Sequence, residues 1–212
     1  MDWIRWLSIV LVMSSGLGSL YSLGHAAEVT DTGTWKTYTN TRFGFSVQYP
    51  PDWRPGNPMP DGTGITFSPP TEDTQVALFG FMNVIEGGSQ DGRQTLNEFV
   101  RAHRRIITEL FEKKRITVSW DTDRPTKLGG FDARQLTFIY PSNTNIEMRE
   151  VHIMSVGRNE GRGVRIKIPA SDTGAMIHLV TKLLKTYHAG RDQNAASPFA
   201  RSRSDLPSTP PR

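Results

Sequence analysis

Cysteine is absent from the 212 residues, which excludes disulfide frameworks, thiolate zinc sites, cysteine nucleophiles and lipid attachment at an N-terminal cysteine. The short motifs of common hydrolases are missing too. No serine stands in a G-x-S-x-G elbow and no Ser-Lys or paired-glutamate motif occurs, so acyl transfer and glycoside hydrolysis have no foothold. Charge of one sign is scarce as well. The formal net charge is +4, and setting aside Arg191, Arg201, Arg203, Arg212, Asp192 and Asp205 near the C-terminus, and the balancing pair Asp2 and Arg5, leaves about +2 on the central part. A field that weak does not point to nucleic acid.

Long apolar runs are confined to the N-terminus. Residues 1–6 carry a modest positive start from the amino group and Arg5, and an apolar stretch fills residues 7–23. Gly24, His25, Ala26 and Ala27 then place small residues for cleavage after Ala26 or Ala27. Ser14, Gly16, Gly18, Ser19 and Ser22 dilute the stretch, whereas a spanning helix needs about 20 strongly apolar residues. A signal peptide over 1–27, and hence a periplasmic or secreted protein, is expected in preference to a retained anchor. Residues 189–212 hold four prolines and four serines, with only Phe199 and Leu206 large and apolar. Such a segment cannot offset its ordering entropy and is expected to be disordered. Residues 28–188 remain, and about 160 residues suit one domain with one core. A composition of 36% hydrophobic and 22% charged residues is that of a globular chain.

Within this part, Phe43, Phe45, Val47 and Tyr49 fall on alternate positions, the mark of a half-buried strand, and Pro50 and Pro51 end it. Trp53 is expected to fold back as an apolar plug. Residues 65–67 read as a short strand and residues 75–85 as a strand buried on both faces, which requires cover on both faces of its sheet. Thr95 and Glu98 form a capping box ahead of Leu96, Phe99, Val100, His103, Ile106, Ile107, Leu110 and Phe111 at helical spacing. Strands are expected over 116–120, 133–140, 146–156 and 163–168, with turns at Gly129-Gly130, Pro141-Ser142-Asn143 and Asn159-Glu160-Gly161. Short connections imply antiparallel pairing. Ser171 or Asp172 is expected to cap a last helix carrying Met176, Leu179, Val180, Leu183, Leu184 and Tyr187. The order predicts an α+β fold: an α-β-α sandwich with a central, mainly antiparallel sheet flanked by helices.

The run Phe43-Gly44-Phe45-Ser46-Val47-Gln48-Tyr49-Pro50-Pro51-Asp52-Trp53 resembles the opening of the PsbP family of photosystem II extrinsic proteins, a glycine-aromatic pair, a strand, Tyr-Pro and Trp. The same opening occurs in related bacterial exported proteins of the DcrB type. The element order resembles that fold over roughly residues 35–188. The resemblance implies a sandwich fold and a non-catalytic role: binding to, or helping to assemble, a membrane-associated complex from the periplasmic side, or from the lumenal side in a phototrophic host. It carries over no metal position, and the lipid-modified cysteine common to bacterial members is missing here.

Chemistry-bearing residues are few. His25 lies in the signal region and His188 at the end of the last helix, leaving His103, His152 and His178 without metal-ligand spacing. His103 shares the apolar stripe of its helix and reads as a satisfied histidine at the core edge. Asp121-Thr122-Asp123 places two carboxylates after a strand, as a calcium loop does, but the rest of such a loop is absent and a solvated turn is expected. No cofactor is predicted. Residues 87–92 are glycine-rich and precede a helix, yet lack a nucleotide-loop lysine. Arg101, Arg104 and Arg105 on the first helix, with Lys113, Lys114 and Arg115 after it, make a candidate basic surface toward an acidic protein or anionic lipid heads. Glu98, Glu109 and Glu112 interleave with them. Arg162, Arg165 and Lys167 read as the wet face of a strand, and Arg165 and Lys167 are counted with the candidate basic surface. The expected function is thus an exported, non-catalytic binding or assembly-accessory protein with a protein partner in the cell envelope and peripheral membrane association. The alternatives are an enzyme whose site is assembled from distant residues, or a salt-sensitive binder of anionic surfaces.

Overall fold

The computed structural model describes residues 30–31, 35–71, 73–83, 94–144, 146–172 and 174–190. The expected signal peptide, the glycine-rich loop 87–92 and the tail beyond Gly190 lie outside them. In chain order the elements are β1 (Thr30–Asp31), β2 (Lys36–Asn40), β3 (Phe45–Tyr49), β4 (Arg54–Pro55), β5 (Gly64–Ser68), β6 (Gln75–Met82), α1 (Leu96–Lys113), β7 (Ser119–Leu128), β8 (Phe131–Pro141), β9 (Glu147–Val156), β10 (Glu160–Pro169), α2 (Ala175–Lys185) and β11 (His188–Ala189).

These strands form a four-stranded sheet, β1-β2-β3-β11, and a seven-stranded sheet, β4-β5-β6-β10-β9-β8-β7. Every pairing is antiparallel. Strands β7 to β10 run as a meander because their connections are short. Gly129 and Gly130 have φ of +58° and +89° and close β7 onto β8 with two residues, the backbone that a tight hairpin needs. Strand β10 returns to pair with β6, so β6 and β10 lie inside the sheet and β7 at its edge. The chain between them must cross β10, β9 and β8, and α1 makes that crossing.

Alternation along each strand sorts the side chains to two faces. Leu136, Phe138, Tyr140, Met148 and Met154 meet Val100, Ile107 and Phe111 of α1. On the other face Ile65, Phe67, Val76, Leu78, Ile153, Val164, Ile166 and Ile168 meet Tyr38, Phe45, Val47, Tyr49, Trp53, Val180, Leu183 and Tyr187. This second core is the larger. The α+β sandwich is therefore as expected, but its second cover is α2 together with a small sheet. Strands β2 and β11 escaped the sequence reading because Lys-Thr-Tyr-Thr-Asn has one large apolar residue and His-Ala none; pairing with β3, and not their own propensity, extends them. The domain accordingly runs past residue 188, since β11 ends at Ala189 and the Gly190 N–H donates to the Gly44 carbonyl at 2.7 Å.

Three local expectations are corrected. Strand β3 starts at Phe45, because residues 41–44 turn with Gly44 at φ +60° and the Phe43 N–H bonds Asn40 Oδ1 at 2.9 Å. Asp121-Thr122-Asp123 lies inside β7 at a register shift between Trp120 and Thr122, not in a turn; an edge strand can be polar, which hid it. Neither Ser171 nor Asp172 caps α2, whose first helical turn follows Gly174 without a side-chain cap. The capping box of α1 is present, with Thr95 Oγ1 accepting from the Glu98 N–H at 3.3 Å and Glu98 Oε2 accepting from the Thr95 N–H at 2.8 Å.

The motif at 43–53 is structural. Phe43 and Trp53 are almost wholly buried, and the buried Arg162 donates from Nε to the Phe43 carbonyl at 2.9 Å while its Nη2 meets Glu160 at 2.6 Å. Arg162 has the parity of Val164, so it lies on the core face and not on the wet face expected for it. The Phe43 ring occupies the space over Gly80, where an added Cβ would stand 2.1 Å from the ring. Gly80→Ala is expected to lower stability by about 1–3 kcal/mol through this overlap. A urea midpoint unchanged from the parent would contradict it.

Candidate functional site

The α1 face of the sheet carries one polar row in an otherwise apolar layer. Glu150 and His152 stand two apart on β9 and so point to the same side as Met148 and Met154. His103 comes down on them from α1, and Tyr140 reaches them from β8. His103 Nε2 is 2.8 Å from His152 Nδ1, His152 Nε2 is 2.9 Å from Glu150 Oε2, and the Tyr140 hydroxyl donates to Glu150 Oε1 at 2.7 Å. None of the four is more than 8% exposed.

Burial opposes ionisation of Glu150, but the hydrogen bond and charge of His152, with Arg165 and Tyr140, outweigh it and hold the carboxyl below the usual carboxylate range. Burial raises the Tyr140 hydroxyl, and the neighbouring Glu150 charge raises it further, so it stays a donor. Burial and the His152 charge press His103 down to about 3 against partial support from Glu150, so its imidazole is neutral. An ionised Glu150 makes His152 Nε2 the donor. The 2.8 Å gap between His103 Nε2 and His152 Nδ1 holds one hydrogen, with one ring donating and the other accepting. The far nitrogen, His103 Nδ1, meets no hydrogen-bond partner among the described residues. Phe99 stacks beside His103 and Phe138 packs edge-on to His152, so aromatic rings border the row. The row joins helix and sheet through buried hydrogen bonds.

The basic residues fall into two groups. Arg104 stacks over the Trp120 ring at 4.7 Å and meets Asp123 at 3.5 Å, and Asp123 also binds Arg134. These are bonds between α1 and the sheet edge, and they occupy the carboxylate that a calcium reading of Asp121 and Asp123 would require. Among the described residues no cluster of three or more His, Cys, Asp or Glu is placed to hold a metal. Arg101 is exposed, and Arg105 is exposed beside Glu109 at 3.8 Å. Lys113, Lys114 and Arg115 are exposed at the end of α1. Arg115 has φ +58°, a left-handed backbone usually given to glycine, and it closes the helix through its N–H to Glu112 O at 2.8 Å. Arg165 pairs with His152 and Lys167 with Glu150 across β10 and β9, which puts both on the α1 face. The last turn of α1 covers Phe138 and Tyr140, two strands from β10, so about 10 Å separates the two basic groups at the sheet surface. His178 and His188 are exposed and join neither group.

No protein-family model matches the sequence, and no curated protein matches it. Among solved structures, the cyanobacterial PsbP (CyanoP) of Synechocystis sp. PCC 6803 superposes with a TM-score of 0.57 at 13% identity, over 82% of this chain and 99% of that one. The chain has a PsbP-like fold. A crystal structure from Bacteroides thetaiotaomicron VPI-5482 gives a TM-score of 0.44 at 13% identity, over 70% of this chain and 46% of that one. At this identity the PsbP-like likeness concerns the fold alone. No helix among the described residues is long and apolar enough to cross a membrane.

The sequence reading passed over the buried row. One signal for it was present: Glu150 and His152 share the parity of two methionines, so an ionisable pair had to stand on an apolar face. Nothing in the sequence aligned His103 or Tyr140 with them. Tyr140→Phe removes a hydrogen bond to a buried carboxylate and is expected to lower stability by about 1.5–3 kcal/mol. A calorimetric or urea series showing less than about 0.5 kcal/mol would mean that Tyr140 does not support Glu150.

Proposed function

We propose that this is an exported, non-catalytic accessory protein that binds a membrane-associated complex from the periplasmic side, or from the lumenal side in a phototrophic host. The observation that carries the reading is the PsbP-like fold, which takes in nearly the whole of the cyanobacterial protein and most of this chain. The binding surface in this reading joins Lys113, Lys114 and Arg115 at the end of α1 to Arg165 and Lys167 of β10, on the same face of the sheet and two strands away. Export rests on the N-terminal segment 1–27. The closed polar row supports a non-catalytic role, since its titratable groups are buried.

Opposite charge at such a rim sets association rate and salt dependence more than final affinity. Capture of one membrane complex from envelope extract of the host, weakening steeply from about 0.05 M to about 0.5 M salt, is the expected result, with a Lys113→Glu, Lys114→Glu variant about tenfold weaker. Equal retention by anionic vesicles and by no protein would favour the surface-binder alternative, and recovery of the protein alone would overturn both.

Arg115 offers a sharper test. Replacing it with glycine relieves the left-handed backbone and is expected to raise stability by about 1 kcal/mol, while weakening partner capture. A variant that is stabilised but captures the partner unchanged would remove Arg115 from the surface.

A further inference from the structure

The two covers of the seven-stranded sheet are unequal. The core beneath α2 and the small sheet joins residues from β2, β3, β5, β6, β7, β8, β9, β10 and α2, and no residue of α1 belongs to it. The α1 layer holds two small apolar clusters around Phe138 and Leu136, and between helix and sheet runs the His103 to His152 bond. Such a layer is a unit that can open while the rest stays folded.

We propose that the His103–His152 pair is a proton-controlled latch: one hydrogen between the rings keeps α1 seated, and a proton on each facing nitrogen releases it from β8 and β9. The spacing of the two rings is the ground for it. A nitrogen pair at 2.8 Å accommodates one hydrogen, with one ring donating and the other accepting. When both facing nitrogens carry hydrogen, neither can accept and the rings must part.

The charges around the pair do not offset a second proton. On β9 only Glu150 touches it; β8 presents Tyr140 and Arg134, and β10 presents Arg165 and Lys167. On α1 itself Arg104 flanks His103, and Asp123 of β7 is already held by Arg104 and Arg134. One carboxylate can balance one imidazolium, and the remaining ionisable neighbours are cations or a tyrosine.

The sign follows from linkage. The closed state holds His103 neutral to about 3, against 6.5 for an unburied imidazole. Below pH 6.5 the open state therefore takes up a proton that the closed state refuses, and closure weakens by up to about tenfold per pH unit. Glu150, held below its ordinary 4.5, contributes stability lost only as pH falls below that value. Between pH 6.5 and 4.5 the histidine acts without it. Release exposes Leu136, Phe138 and Met154, so the opened form presents an apolar face that the closed form hides.

Amide hydrogen exchange on the purified protein, corrected for the intrinsic pH dependence of exchange, tests the latch directly. Between about pH 6.5 and about pH 5, protection of the α1 amides is expected to fall by up to about 30-fold while β5, β6 and β10 keep theirs. A dye that fluoresces on apolar surface should report the same transition. Protection of α1 that does not change, or that falls together with β6 and β10, overturns the proposal. His103→Gln keeps a hydrogen-bonding group facing His152 and cannot be protonated, so its α1 protection should lose the pH slope. A retained slope in that variant would move the switch away from His103.

Discussion

The centre of the seven-stranded sheet is buried on both faces, and that condition organises the rest of the molecule. Val76, Ala77 and Leu78 are consecutive on β6 and each is at most 1% exposed. Consecutive residues of a strand point to opposite sides, so both sides must be covered. The topology meets one side automatically. A meander that begins at the edge strand β7 and returns to β6 obliges the connecting segment to pass over β10, β9 and β8, and an amphipathic helix with a capped start is the economical way to cross.

The second side is covered by parts drawn from both ends of the chain. Strands β2 and β3 come from before the large sheet, and α2 and β11 from after it, and they meet around Phe45 and Tyr187, whose rings stack at 5.4 Å. Arg162 ties this assembly to the sheet by holding the Phe43 carbonyl from the core side. A buried cation is tolerable there because Glu160, the carbonyl and the face of Phe131 share its charge. On the α1 side the polar row does the corresponding work with histidine. The contrast matters physically: an arginine stays charged over the whole range in which proteins fold, whereas a histidine pair changes its proton count. One face of the sheet is therefore pinned permanently and the other conditionally.

The likeness to the cyanobacterial PsbP lies at the level of backbone architecture, with 13% of residues shared. Architecture of this kind hosts chemistry without specifying it. Individual residues of this chain place chemistry on that frame: a left-handed Arg115 that ends α1 in three exposed cations, and a buried titratable row beneath the same helix.

Local rules determined a good part of this. Alternating aromatics at 43–49, the capping box at Thr95 and Glu98, the apolar stripe of α1 and the glycine pair at 129–130 are readable because each depends on neighbours within a few residues. The same reasoning found the helical cover, the antiparallel order and the resemblance that named the fold. It failed where structure is imposed from a distance. Strands β2 and β11 exist because β3 lies beside them; the aspartates of β7 are strand residues because an edge needs no apolar alternation; and α2 begins at Ala175 with no side-chain cap because packing of Val180 and Leu183 holds it. The buried row is the clearest case. Sequence spacing alone joined Glu150 to His152, through the period of a strand, but His103 is 49 residues from His152. Only the crossing of α1 over β9, a consequence of strand order, brings those two nitrogens within hydrogen-bonding distance.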